Sequence, residues 1–308
     1  MLYVLIVFAI ITYYALDWLL NFFRIAKFQG KYVLITGCDS GFGQALALRL
    51  DALGFNVFAG CLTHNGSLFL SEKCSSNLYT FLLDVTKPES IENALQVIKT
   101  KLPENEGLWG LVNNAGILGP MGCLELCSID DYQKVFSVNL YGTIEMTRNF
   151  LPLLRKSGNG RVVNMSSILG RFAFSGGPYT ISKQGVESYS DTLRREVYKQ
   201  NIRVSIIEPT GFRTNLMQDK MVDEMQTLYE NATEEVKIAL GQDFLRKYKT
   251  TILKAKDSCL PNLDPVLDAI VHAITAIFPR NRYLVGVSEW YCTLFAYLPD
   301  WITDKILK

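Results

Sequence analysis

The sequence predicts an α/β fold: one doubly wound parallel sheet of seven strands in a single domain, preceded by an N-terminal hydrophobic anchor. Three observations carry this reading. From Lys31 onward, short β-branched runs alternate with longer amphipathic stretches, the rhythm of a parallel sheet covered by helices on both faces. A glycine-rich turn, ITGCDSGFG from Ile35 to Gly43, follows directly on the first of those runs. The chain has 308 residues, 49% of them hydrophobic, enough for one large core and a small appendage.

Taken in order, the strand candidates are YVLIT (32–36), NVFAGC (56–61), LYTFLL (78–83), GLVNN (110–114), RVVNMS (161–166), RVSIIE (203–208) and RYLVG (282–286). Each is a short apolar or β-branched run bounded by turn residues. Helices are predicted to start after Gly41, after Pro88, near Ile129, near Pro178 and near Pro265. Ser128 followed by Asp131 in SIDD has the spacing of a capped start, and proline is favoured in the first helical turn. Residues from about 213 to 260 are helical in pattern but stand where a short connection would suffice, so they are expected to form a lid over a site.

Both ends of the chain are unusual. Residues 1–23 are apolar apart from Asp17 and Asn21, and as a helix rising about 1.5 Å per residue they are long enough to cross a hydrocarbon core of roughly 30 Å. Asp17 lies off centre, where a charge costs less than the roughly 2.5–3.5 kcal/mol assigned at mid-membrane. No basic leader precedes the segment, which favours a retained membrane anchor, joined by a linker at 24–30, over a removable signal. Arg24, Lys27 and Lys31 flank its C-terminal side and place the body on the cytosolic face. The alternative is a buried N-terminal helix. Residues 287–308 mix Trp290, Tyr291, Phe295, Tyr297 and Trp301 with few charges, which suits either a membrane interface or a segment folded onto the core. Pro299 argues against a single spanning helix there.

Composition excludes several classes of function. The net charge is +1 and the basic residues form no long run, so the footprint of a nucleic-acid binder is missing. Seven cysteines without a CxxC pair suit reduced thiols. Two histidines, His64 and His272, stand in no metal-ligand spacing, which leaves no metal site and no Ser/His/Asp triad to expect. His64 is read as a solvated loop residue. Of the N-x-S/T sequons at Asn65, Asn164 and Asn231, Asn164 falls inside a predicted core strand and is an accidental match.

The glycine turn stands between the first strand and the first helix, where an α/β sheet offers main-chain N–H groups and a helix N-terminus to a pyrophosphate. Gly37 permits the sharp turn, and Gly41 and Gly43 allow close approach of backbone to ligand and of helix to strand. In YTISK, Tyr179 and Lys183 are four residues apart and so share one helix face. An ammonium beside a phenol favours the phenolate and should lower its pKa, making the pair a proton-transfer device. Ser167, twelve residues earlier at the end of the fifth strand, can hold a substrate oxygen beside that phenol.

In combination these features resemble the short-chain dehydrogenase/reductase family, and the likeness runs from about Lys31 to Gly286. TGCDSGFG is similar to the family's cofactor turn, LVNNAGI to its strand end, FSVNLYG to the segment of its fourth catalytic residue, and YTISK to its Tyr-Lys pair. The resemblance implies a Rossmann-type fold and a catalytic tetrad of Asn139, Ser167, Tyr179 and Lys183. It implies cofactor contacts from Thr36, Gly37, Ser40, Gly41, Phe42 and Gly43, from Asp84 at the adenine, from Asn114, Ala115 and Gly116, and from Tyr179 and Lys183. Thr214 is implied at the carboxamide, in a loop altered by Thr210 standing where the family has glycine. Lys183 would hold the nicotinamide ribose, Tyr179 exchange the proton of an alcohol, Ser167 orient its oxygen, and Asn139 support a water that relays the proton outward.

Coenzyme and substrate are read as follows. At the end of the second strand a carboxylate normally binds the adenosine ribose, or a cation accepts a 2′-phosphate. Here Cys61, Leu62 and Thr63 offer neither, and the missing cation favours NAD over NADP. The segments ITGCDSGFG, LWGLVNNAG and GRVVNMSSILGR look most like the membrane-associated branch of retinol, 17β-hydroxysteroid type 6 and 3-hydroxybutyrate dehydrogenases. A lipophilic alcohol, retinoid or steroid, is the expected substrate, and the endoplasmic reticulum membrane the expected location. The rivals are a short hydroxy acid, whose carboxylate would need Arg171 or Arg213, and a catalytically silent scaffold that binds nucleotide and lipid. The family likeness also implies a homodimer formed through helices near 130–155 and 178–200.

Overall fold

The computed structural model describes residues 22–173, 176–216, 220–286 and 298–307, with scattered positions from 8 to 20. Seven strands are present: β1 (Tyr32–Thr36), β2 (Asn56–Cys61), β3 (Leu78–Leu82), β4 (Gly110–Asn113), β5 (Arg161–Met165), β6 (Arg203–Pro209) and β7 (Arg282–Val285). They form one parallel sheet in the order β3-β2-β1-β4-β5-β6-β7. The order reverses between β1 and β4, and the crevice beyond the C-terminal ends of strands at such a reversal is where open α/β sheets bind ligands.

Two helical layers cover the sheet. On one face α1 (Gly41–Ala52) brings Leu46 and Leu50 against Val33, Ile35 and Val57. On the other, α3 (Pro88–Lys101) and α5 (Thr143–Lys156) pack Ile91, Ile98, Met146 and Phe150 against Leu34, Leu111 and Val162. Strands buried on both faces read as continuous apolar runs, which is why the sequence reveals them. The predicted cap is formed: Ser128 and Asp131 make a reciprocal capping box at α4 (Ile129–Phe136). The helix α2 (His64–Lys73) was not expected. Only Gly66 and Leu70 of it are buried, so no apolar stripe announces it, and His64 is its first residue rather than part of a loop.

The remaining elements set the surroundings of the site. After α5 the chain forms β5, the single turn α6 (Ile168–Arg171) and the long α7 (Gly177–Val197). The insertion folds as α8 (Lys220–Glu230), α9 (Glu234–Leu240) and α10 (Phe244–Asp257). Its two ends are clasped, since Leu260 N–H donates to Gly211 O and Arg213 N–H to Leu260 O, each at 2.9 Å. Helix α11 (Asp264–Thr275) returns to the first face. The chain enters the domain beside the end of α11: Ile25 N–H donates to Thr275 O at 2.9 Å and Ile277 N–H to Phe23 O at 3.0 Å.

Among the described residues no helix is long and apolar enough to cross a membrane. Most of the predicted anchor at 1–23, and the aromatic stretch 287–297, lie outside the described residues, whereas α12 (Asp300–Leu307) is described and leaves Trp301 and Ile306 exposed.

Candidate active site

The glycine turn is built by close approach. Gly37 has φ +70°, and a Cβ there would stand 2.8 Å from Ala115 Cα; a Cβ on Gly43 would collide with the Gly37 carbonyl and the Asn114 side chain. Only glycine permits both contacts. The turn is tied to the end of β4 by Thr36, whose hydroxyl accepts from the N–H groups of Asn114 and Ala115, each at 3.0 Å. Asn114 Nδ2 donates back to Thr36 O at 2.9 Å and Gly37 O at 3.0 Å. Ser40 caps α1 without a side-chain hydrogen bond, and Thr214 sits across the turn, its Cβ 3.3 Å from the position a Cβ on Gly41 would take. The residues present fit a pyrophosphate here: a glycine turn that side chains would crowd, leading straight into a helix N-terminus.

Other residues expected at the cofactor have protein partners of their own. Phe42 packs its ring edge-on to Phe212, with centroids 5.6 Å apart, and so braces the turn with its side chain. Asp84 closes its own loop, Oδ1 accepting from Thr86 N–H at 2.9 Å and from the Thr86 hydroxyl at 2.7 Å. Thr210, the departure after β6, lies hard against Gly286, and its N–H donates to Val285 O at 2.9 Å. The glycine that the loop lacks at 210 is thus matched by a glycine beside it.

Strand ends and α7 assemble the tetrad. Tyr179 lies in the first turn of α7, directly after Gly176–Gly177, both with positive φ, and Lys183 follows one turn on; Tyr179 and Lys183 are both buried. Lys183 Nζ stands 5.6 Å from the Tyr179 ring centroid and donates to Met165 O at 2.7 Å. Tyr179 is hydrogen-bonded to Ser167, the residue that caps α6 and accepts from Leu169 N–H at 3.2 Å. A Cβ on Gly116 would stand 3.4 Å from Asn139 Oδ1 and 3.6 Å from Lys183 Nζ, which places the end of β4 beside both.

Asn139 lies in a π-helical segment, Ser137–Gly142, between α4 and α5. Such widened turns are frequent at functional sites. Its amide is fully used: Oδ1 accepts from Ile117 N–H at 2.8 Å, and Nδ2 donates to Ile117 O at 2.9 Å and Ser182 Oγ at 3.0 Å. The Asn139 carbonyl accepts from Thr143 Oγ1 at 2.9 Å. Its side chain therefore fixes the strand end against α7. Ser182 was missed in the sequence; it donates to Tyr179 O at 2.7 Å and so joins Asn139 to the helix that carries Tyr179. Its only signal is its place between Tyr179 and Lys183.

The electrostatics correct one expectation. Burial pushes the Tyr179 phenol up to about 12, against a smaller lowering by the Ser167 hydrogen bond. The neighbouring ammonium was expected to lower it, but the ring sits among Leu118, Met121, Leu169 and Met221, and desolvation of a phenolate there is the largest effect. Burial also pulls Lys183 down to about 8, with Glu187 one turn along opposing that shift. Behind α7, Arg282 pairs with Glu187, with Asp191 at 2.8 Å and with Glu208 at 2.8 Å. Arg171 Nε joins Glu208 at 3.3 Å. Burial and Glu187 raise the Glu208 carboxyl to about 7. Arg171, a candidate for holding a substrate carboxylate, is thus committed to Glu208.

Comparison with known proteins places this geometry. Residues 31–225 match the family described as short chain dehydrogenase. Retinol dehydrogenase 7 of Rattus norvegicus is 45% identical over 295 residues, covering 94% of this chain and 92% of that protein. The 17-beta-hydroxysteroid dehydrogenase type 6 of Homo sapiens is 42% identical over 297 residues, covering 96% and 93%. Among solved structures, a short chain dehydrogenase/reductase from Burkholderia phymatum in complex with NAD has a TM-score of 0.69 at 22% identity, covering 84% of this chain and 90% of that one. A short chain dehydrogenase from Burkholderia cenocepacia in complex with NADP has a TM-score of 0.67 at 20% identity, covering 91% and 98%.

Proposed function

The chain belongs to the short chain dehydrogenase family, and from that premise we propose that it passes hydride between a nicotinamide dinucleotide and the hydroxyl or carbonyl of a lipophilic alcohol, a retinoid or a steroid. The observation that carries the reading is Tyr179, bonded to Ser167, one helical turn from Lys183 and walled by Leu118, Met121, Leu169 and Met221. An apolar wall with a few convergent polar groups fits a lipophilic molecule that carries one oxygen.

The geometry supports the following roles. The dinucleotide, when bound, supplies the hydride acceptor or donor. Gly37, Ser40, Gly41 and Gly43, with the first turn of α1, would hold its phosphates; Thr36, Asn114, Ala115 and Gly116 would line its path, with Asp84 toward the adenine and Thr214 toward the carboxamide. Ser167 positions the substrate oxygen beside Tyr179, and Tyr179 accepts the alcohol proton in oxidation or donates it in reduction. Lys183 holds a positive charge one helical turn from that oxygen, where burial has removed competing water. Asn139 locks the strand end to α7, so the donors keep their spacing during turnover.

Several finer readings go with it. NAD is the preferred coenzyme, because no lysine or arginine stands at 61–67. The apolar segment 1–23 and the exposed Trp301 and Ile306 support attachment to the endoplasmic reticulum membrane, with the domain on the cytosolic side. The hydroxy-acid reading is weakened by the pairing of Arg171 with Glu208. The test is a turnover panel of retinol, androstanediol and 3-hydroxybutyrate with NAD and with NADP. Oxidation of retinol or androstanediol supports the proposal; turnover of 3-hydroxybutyrate alone contradicts it.

A further inference from the structure

The end of β2 carries no charged side chain, yet the structure brings a carboxylate to it from elsewhere. Asp39, inside the glycine turn, reaches across to the residues that follow β2. Leu62 N–H donates to its Oδ2 at 2.8 Å, Thr63 N–H to its Oδ1 at 2.8 Å, and the Thr63 hydroxyl to the same oxygen at 2.6 Å. Helix α2 starts at this point: Thr63 is its cap and accepts from Gly66 N–H at 3.1 Å. A Cβ on Gly66 would stand 2.7 Å from Asp39 Oδ1 and 2.9 Å from its Cα, so the first turn of α2 closes directly on the carboxylate.

Outward main-chain N–H groups and a hydroxyl at a helix N-terminus form a place for an anion. In a dinucleotide site of this topology that place belongs to the adenosine ribose, or to the phosphate on its 2′ oxygen. We propose that Asp39 is the coenzyme-discriminating residue: it fills this place with the chain's own negative charge and excludes a 2′-phosphate. The proposal rests on the dinucleotide reading given above and deepens it.

Two physical effects act together. A 2′-phosphate would meet a fixed carboxylate at close range with no lysine or arginine from 61–67 to offset it. The donors that would otherwise bind the phosphate are already occupied by Asp39, so the phosphate would enter without hydrogen bonds to replace those it leaves in water. The adenosine 2′-hydroxyl of NAD carries no charge and suffers neither penalty. The position was not visible in the sequence, because the carboxylate comes from the β1 turn, 24 positions before the Thr63 hydroxyl it accepts from.

The test is binding, measured on the full chain without substrate. Affinities for NAD and NADP are taken by calorimetric titration of the wild type, of Asp39→Ser and of Asp39→Asn, which keeps an oxygen to accept from Thr63 while removing the charge and the acceptor for Leu62 N–H. The expected result is a wild type that binds NAD at least tenfold more tightly than NADP. In both variants that ratio should fall by tenfold or more, chiefly through tighter NADP. Variants that bind NAD and keep the wild-type ratio within about twofold would overturn the role of Asp39 while leaving the dinucleotide reading intact. A wild type that binds neither dinucleotide would overturn both, and one that prefers NADP would overturn the discrimination alone.

Discussion

At the scale of single residues, the site depends on burying two groups that would rather stay in water. Tyr179 at about 12 holds its proton throughout the neutral range, ready to donate it in reduction. In oxidation it must lose that proton within an apolar wall, and the charge of Lys183 is what the chain itself offers to offset that. Tyr179→Phe is therefore expected to lower kcat by about 10²–10⁴, the range for a positioned acid or base, with dinucleotide affinity changed by no more than a few fold. Lys183 carries a measurable stability signature. Its ordinary value is 10.5 and its folded value about 8, so the buried cation costs stability in full below pH 8. That cost fades as pH rises from about 8 to 10.5, where the folded chain has already released the proton. Lys183→Met should abolish turnover, raise Tm by a few degrees at neutral pH and flatten the pH dependence in that window, as followed by thermal melts.

At the scale of elements, the π-helical segment and the glycine turn do the positioning. Asn139→Ala leaves the half-buried Ile117 amide and carbonyl without their partner, a loss of roughly 1 kcal/mol that denaturant titration would detect. It also frees α7 from the end of β4, so kcat should fall at least tenfold with little change in KM. Gly37→Ala puts a Cβ 2.8 Å from Ala115 Cα and forces the turn open. Dinucleotide affinity should fall more than tenfold, read by quenching of the four tryptophans. These two elements differ in how far the sequence reveals them. The glycine turn is legible because its steric needs are met by glycine at fixed spacing. The part played by Asn139 is not, because its hydrogen bonds run to Ile117 and Ser182, residues 22 and 43 positions away. Helix α2 was missed for a related reason: it lies on the sheet edge with only Gly66 and Leu70 buried, and leaves no apolar period to read.

At the scale of the whole molecule, a buried parallel sheet writes itself into sequence as apolar runs, and all seven strands were legible to within one residue at each end. Electrostatics were less legible, since the direction of the Tyr179 shift depends on a wall assembled from Leu118, Met121, Leu169 and Met221, residues spread over the chain. The insertion α8–α10 contributes Met221 to that wall, so exchanging Met221 for a charged residue should raise KM for a lipophilic alcohol well above tenfold while leaving dinucleotide affinity in place. The central claim is that Tyr179 transfers the proton in hydride exchange with such an alcohol. Its most direct test follows the reduced-nicotinamide absorbance band with retinol or androstanediol as substrate, comparing wild type with Tyr179→Phe at equal dinucleotide saturation. The account predicts turnover in the wild type and its near-complete loss in the variant; turnover by the variant at the wild-type rate would contradict it.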